Sequence, residues 1–241
     1  VRTIQVLEEQ EIVQTGTFRD TAARKSYYPL VVELRGIRIA LLNYTYGTNG
    51  IRDRPPAIVN RIDKEQIRED LRKAQSAEPD FILVTMHWGN EYQLSASREQ
   101  EELAAYLFEH GAHAVIGSHP HVVQPIRGEG SGELVVYSLG NLISNQRKRY
   151  RDGGILVELL LSKDTREISH HAYLPVWVWK PATKKGTRFT LVPANLSDAS
   201  EIRSLMSPDD RNKMDLFLKD TRLQLQGCRE AASPQQVAIE P

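Results

Sequence analysis

Apolar residues along the chain alternate between helical and extended spacing. In residues 2–13, Ile4 and Leu7 stand three apart, which predicts a short amphipathic helix. Residues 29–34 (PLVVEL) and 37–45 (IRIALLNYT) are dense in β-branched and large apolar side chains and predict two strands joined by a tight turn at Arg35-Gly36. Residues 46–60 lose that pattern and carry Asn49-Gly50 and Pro55-Pro56, so they read as loop. Asp63 can accept a bond from a free first-turn N–H, which predicts a helix over 64–76 that ends before Glu78-Pro79-Asp80. Residues 81–87 (FILVTMH) form a nearly unbroken apolar run, as in a strand buried on both faces. Residues 98–110 gather Leu103, Tyr106 and Leu107 on one helical face, with Gly111 as the stop. Residues 113–117 (HAVIG) give another short buried strand. The order strand, helix, strand over 81–117 is a βαβ unit, which makes parallel neighbours with a right-handed crossover.

Strands are further predicted over 133–138 and 154–161, and late antiparallel strands over 166–179 and 187–193. Helices are expected at 199–205 and 208–226, the second started by Ser207-Pro208. Residues 228–241 have little periodicity and read as a disordered tail. The fold class is α/β, with mixed sheets flanked by helices. The organisation expected is one domain over 1–195, a helical extension over 196–227 and the tail.

Charge narrows the possible functions. Lys and Arg number 31 and so do Asp and Glu, so the chain lacks the basic footprint of a nucleic-acid binder. Cys228 is the sole cysteine, which excludes an internal disulfide and fits either a reducing compartment or a disulfide-free exported protein. No apolar run approaches the roughly 18 residues of a membrane span, and no signal-peptide pattern occurs. The chain opens without Met, on what reads as a helix already under way. The expectation is a start in mid-domain, with any targeting signal upstream.

Candidate chemistry collects at strand ends. His87 stands where the 81–87 strand runs into Trp88-Gly89-Asn90-Glu91-Tyr92, and ligands of open α/β sheets bind at the carboxyl ends of parallel strands. Gly117-Ser118-His119-Pro120-His121 follows the next strand in the same way. His87, His119 and His121 would then share one rim, and imidazole is a common ligand of transition metals. A set of structural histidines is the competing reading. Asn141, in Ser138-Leu139-Gly140-Asn141 after a third strand, could bond a ligand or a histidine, or serve as a turn residue. The basic run Gln146-Arg147-Lys148-Arg149-Tyr150-Arg151 could form an anion-binding lip, with Arg147, Lys148 and Arg149 as its candidate residues, or a solvated loop. Val176-Trp177-Val178-Trp179 reads as sheet packing, and His170-His171 would face opposite sides of its strand.

HWGNEYQ, then Gln100, GAHAVIGSHPHVVQPI and YSLGNLI together resemble the bacterial CapA/PgsA family linked to poly-γ-glutamate capsule synthesis. Residues 1–45 resemble that family's middle portion, with a helix, a Gly turn, an alanine-containing loop and a strand pair ending in Tyr-Thr. The resemblance covers about residues 1–161. The family is similar to calcineurin-like metallophosphoesterases, which implies a partial metallophosphoesterase-like α/β sandwich over 1–195, four-layered in a complete domain. It also implies that His87 matches an isolated metal-ligating histidine, and His119 and His121 an H-x-H ligand pair. His121, Glu91 and Asn141 become candidate catalytic residues, and a divalent metal (Mn, Zn or Fe) the implied cofactor. Ser118, His113 and Leu142 depart from the usual His, Asp and Phe. The family's opening Gly-Asp and Asn-Asn-His segments are not found in this sequence, so the expectation is a domain lacking its N-terminal part and a mononuclear or empty site. The resemblance implies a phosphoester or polyanionic polymer as partner, membrane-bound capsule synthesis proteins as neighbours, and an extracytoplasmic location. Metal-dependent hydrolysis and non-catalytic polymer binding or assembly are the two functions carried forward.

Overall fold

The structure, a computed structural model, describes residues 2–128, 132–183, 186–198 and 200–232. Helix α1 spans Arg2–Glu9 and buries Ile4. Strand β1 (Thr17–Phe18) is followed by helix α2 (Thr21–Tyr27), then β2 (Leu30–Leu34) and β3 (Ile37–Thr45). The β2–β3 turn uses left-handed backbone at Arg35 (φ 51°) and Gly36 (φ 77°), the conformation that suits a two-residue hairpin. Helix α2 replaces part of the expected alanine-containing loop. Its cap is Asp20, which accepts a 2.8 Å bond from the Ala23 N–H. Strand β4 (Ile58–Val59), inside the expected loop 46–60, pairs antiparallel with β1. Neither two-residue strand is long enough to leave a periodic signal.

Helix α3 (Lys64–Ser76) is capped by Asp63, which accepts from the Gln66 N–H at 2.8 Å. Strand β5 (Phe81–His87), helix α4 (Arg98–Glu109) and strand β6 (Ala114–Ser118) form the expected parallel βαβ unit. A reciprocal capping box between Ser97 and Gln100 starts α4. Strands β7 (Ile126–Arg127) and β8 (Leu134–Val136) complete a six-stranded sheet of order β2-β3-β5-β6-β8-β7. Its four central strands run parallel, and both edge strands are antiparallel.

Next come β9 (Gly153–Ser162), β10 (Glu167–Trp179), the short pair β11 (Ala182–Thr183) and β12 (Gly186–Thr187), and β13 (Thr190–Pro193). Strands β13-β10-β9 form a second, antiparallel sheet. Helices α5 (Glu201–Leu205) and α6 (Pro208–Gln224) follow, with Ser207 capping α6.

Alternation along the strands divides the core. Leu42, Val84 and Val115 join Ile67 and Leu71 of α3 and Leu103 and Leu107 of α4 on one face of the large sheet. Ala114, Leu134 and Val136, on the other face, pack with Ile155 of β9 and Tyr173 of β10. Farther along β10, Trp177 and Trp179 are buried against Ile202, Met214 and Phe217 of the C-terminal helices. The result is a mixed α/β sandwich of helices, large sheet and small sheet.

The expected tail over 228–241 begins differently. Glu230 accepts two bonds from the Arg222 guanidinium, at 2.7 and 2.9 Å, and one from the Asn195 amide at 2.9 Å. A β-bridge joins Glu230 to Tyr173. These partners anchor the segment without any periodic pattern. Residues 233–241 of the expected tail lie outside the described residues.

Candidate functional site

Strands β5 and β6 end side by side, and His87 is the register partner of Ser118. Directly after β6 the chain enters left-handed backbone at His119 (φ 104°) and again at His121 (φ 61°), a conformation that costs non-glycine residues energy and concentrates at functional sites. This path turns the imidazoles toward one another. Ring centroids are 4.7 Å apart for His87 and His119, and 6.2 Å for His119 and His121. Tyr46, the residue after β3, lies against both His87 (5.8 Å, interplanar angle 12°) and His119 (4.4 Å).

The floor is built by close approach. Trp88 is buried, and its Nε1 donates to the Tyr137 carbonyl at 2.9 Å. Gly117 lies so close to β8 and its exit that a Cβ there would come within 2.0 Å of the same carbonyl and 2.4 Å of the indole nitrogen. Gln100, also buried, donates to Gln124 Oε1 at 2.9 Å, and Gln124 donates to the carbonyls of Gln93 and Ser95. Gln100 therefore braces the loop that carries Glu91 and Tyr92. Above this floor, Tyr46, Lys64, Trp88, Glu91 and His119 line a cleft of about 570 Å³.

Hydrogen bonds fix the state of His121. The Asn141 amide nitrogen donates to the Arg151 carbonyl at 2.7 Å and lies 3.4 Å from the His121 carbonyl. That orientation leaves Asn141 Oδ1, an acceptor, 2.8 Å from His121 Nδ1. Nδ1 is therefore the donor in this contact, which orients the ring and turns Nε2 toward the site. Nε2 faces the Glu91 carboxylate at 3.8 Å. The pair is placed to share a proton, or to flank a metal cation where the ring is neutral. His87 Nδ1 lies 3.3 Å from Ser118 Oγ. Burial, and then the neighbouring His119 and His121, hold the His87 pKa below its ordinary value. Burial does the same at His119, with His121 adding to the effect and Glu91 opposing it. Both shifts favour the neutral ring, the form that binds metals.

Spacing and donor chemistry give a mixed answer for a metal. Two imidazoles with nitrogens about 2 Å from one cation have ring centroids roughly 4.5–6.5 Å apart, a range that includes the separations seen here. Among the described residues, however, no group of three or more His, Cys, Asp or Glu side chains is arranged to hold a metal ion. The donors suit a cation in pairs and do not converge as a trio.

The basic run is mostly committed elsewhere. Arg149 makes two 2.7 Å bonds to Asp220. Arg147 donates to the Val178 carbonyl at 2.5 Å and lies over the Trp177 ring. Lys148 is exposed. Sequence reasoning passed over Tyr46, Tyr92 and Ser118 as a His87 partner, and did not single out Arg151 within the basic run. Tyr46 and Ser118 could have been found from their places at the ends of parallel strands.

Over residues 1–146 the sequence matches the family described as bacterial capsule synthesis protein PGA_cap, and the chain belongs to that family. It is 30% identical over 187 residues to the PGA biosynthesis protein CapA of Bacillus subtilis (strain 168), a match covering 73% of this chain and 47% of that protein. It is 30% identical over 120 residues to the capsule biosynthesis protein CapA of Bacillus anthracis, covering 47% of this chain and 28% of that protein. The chain thus spans about half the length, or less, of these curated relatives. Among solved structures, the sulfate thiohydrolase SoxB of Thermus thermophilus gives a TM-score of 0.39 at 14% identity, covering 80% of this chain and 28% of that one. A protein of Staphylococcus aureus described as a putative 5'-nucleotidase gives 0.38 at 13% identity, covering 86% and 36%. TM-scores of this size do not define a common fold.

Proposed function

We propose that this chain supplies the histidine side of a metallophosphoesterase-like site that hydrolyses a phosphate ester or related bond in capsule biosynthesis. The observation that carries this reading is His121, oriented by Asn141 at Nδ1 with Nε2 aimed at Glu91, beside two further imidazoles whose pKa values are lowered. Pairs drawn from His87, His119 and His121 would contribute to holding a divalent metal (Mn, Zn or Fe). A cation bound there would polarise the scissile group and lower the pKa of a water. Asn141 fixes the His121 ring and tautomer. Glu91 is placed to take or return a proton at His121 Nε2. Trp88 and Tyr46 wall the cleft and limit water.

The test is turnover of p-nitrophenyl phosphate and bis(p-nitrophenyl) phosphate by the full chain with added Mn or Zn. His87→Ala and His119→Ala are each expected to lower the metal-stimulated rate at least about 100-fold, as loss of a group that stabilises transition-state charge does. An unchanged rate in both variants rejects hydrolysis at this site.

The lack of a three-donor group among the described residues favours a second reading. The rim would then bind a polyanionic polymer as a non-catalytic component of an extracellular synthesis or export assembly. Binding of γ-linked polyglutamate that survives chelator, with no hydrolysis, is its signature. Under either reading the relatives' names, which refer to capsule biosynthesis, support work at the cell surface. Among the described residues no helix is long and apolar enough to cross a membrane.

A further inference from the structure

Arg151 sits on a turn closed by its own N–H, which donates to the Lys148 carbonyl at 3.0 Å. Its guanidinium carbon lies 3.3 Å from the centroid of the Tyr92 ring. Tyr92 stacks in turn on His121, with centroids 5.9 Å apart and an interplanar angle of 24°. The Tyr92 N–H is tied to the Pro120 carbonyl at 2.7 Å, and the Arg151 carbonyl accepts from Asn141. Arg151 is thus coupled through Tyr92 and Asn141 to the two groups that position the His121 ring. Its charge has no carboxylate partner among the described residues, whereas Arg149 is taken up by Asp220 and Arg147 by a carbonyl and an indole. A guanidinium lying on an aromatic ring still has its N–H edges free, and that fork matches the two oxygens of a phosphate or carboxylate.

We propose that Arg151 is the oxyanion-binding residue beside His121, taking the phosphate or carboxylate group of an anionic ligand. This rests on reading the His87–His119–His121 rim as a ligand site. Within the basic run, Arg151 rather than Arg147, Lys148 or Arg149 then sets the preference for negative charge.

The experiment is calorimetric titration of the full chain, without added metal and at low salt, with inorganic phosphate in one arm and tri-γ-glutamate in the other. Arg151→Met keeps an unbranched apolar stem over Tyr92 and removes the charge. It is expected to weaken binding about 10-fold or more, as loss of a charge-assisted hydrogen bond does. Lys148→Ala is expected to bind as wild type does. Loss confined to the phosphate arm identifies a phosphoester group, and loss confined to the glutamyl arm a polymer carboxylate. Either supports the assignment. Should Arg151→Met lose its near-ultraviolet circular dichroism, Arg151→Lys carries the test, since it retains charge without the fork and is expected to bind several-fold more weakly. Wild-type affinity in the folded variants, or no binding of either probe by the wild type, overturns the proposal. If turnover depends on His87 while Arg151→Met binds phosphate normally, the assignment of Arg151 falls and the hydrolytic reading stands.

Discussion

At the scale of single residues, the site depends on one amide. Asn141 is buried, and both its polar atoms are spoken for, one on the Arg151 carbonyl and the other on His121 Nδ1. Removing Oδ1 leaves the imidazole free to exchange tautomers and rotate. Asn141→Leu is therefore expected to turn His121 from a single Nδ1–H tautomer into a mixture, read by nitrogen-15 NMR of the ring. Where His121 contributes to metal binding, affinity should fall about 10–100-fold, the usual cost of losing a partner that orients a ligand. Gly117 shows a different dependence. A methyl group there would collide with the Tyr137 carbonyl, a backbone atom that cannot swing aside. Gly117→Ala is expected to cost about 1–3 kcal/mol, the usual range for overpacking, measured by urea unfolding.

At the scale of elements, a buried polar knot joins α2, β3 and α3. Asp70 accepts from the Arg24 guanidinium at 2.6 Å and from the Tyr44 hydroxyl at 2.9 Å. Arg24 also donates to Asn60 at 2.7 Å. Asp70→Ala strands a largely buried cation and is expected to cost about 3–5 kcal/mol, whereas a joint Arg24→Met, Asp70→Leu replacement should recover most of that loss. Denaturant midpoints of Asp70→Ala and of the double variant decide the matter. No sequence pattern points to this knot, because Asp70 on an amphipathic helix looks like any solvent-facing carboxylate and Arg24 is 46 positions away from it. What the sequence does reveal are elements whose period is set by burial. The run 81–87, the α4 face with its Gly111 stop, and the Asp63 cap are legible because each records a local rule. Helix α2 and the β1–β4 pair are not, since their stability comes from distant partners.

The same division holds for the candidate site. His87, His119 and His121 could be placed on one rim because parallel strands carry their ends to the same side of a sheet. Asn141 after the third strand could likewise be offered as a histidine partner, whereas the stacking of Tyr92 on His121 and the withdrawal of Arg147 and Arg149 into internal pairs depend on how loops fold back across many residues, which spacing does not encode. The basic run shows the point most sharply. Its charge density suggests a ligand surface, yet the buried Asp220 on α6 claims Arg149.

At the scale of the whole molecule, the C-terminal segment is clasped to the second sheet by one carboxylate. Hydrogen bonds from Arg222, opposed in part by burial and reinforced by Asn195, Arg222's charge and Tyr173, hold the Glu230 pKa below the usual glutamate range. The sign of the linkage follows. A depressed carboxylate means that the unfolded chain binds the proton more tightly, so Glu230 adds stability above its unfolded pKa of roughly 4.3, and that contribution disappears as pH falls through the lower folded value. Glu230→Gln should therefore lower the unfolding temperature at neutral pH and converge with the wild type under acid conditions. A difference that stays constant from neutral pH down through the folded pKa would show that the clasp works through shape and hydrogen bonding instead of charge. Because Tyr173 belongs to the cluster that joins the small sheet to β6 and β8, loosening this clasp is expected to reach the strand ends that carry the histidines only through that core. Hydrogen exchange should accordingly rise first at the β10 amides near Tyr173, while the amide of Trp88, bonded to the Ser118 carbonyl beside the site, stays protected.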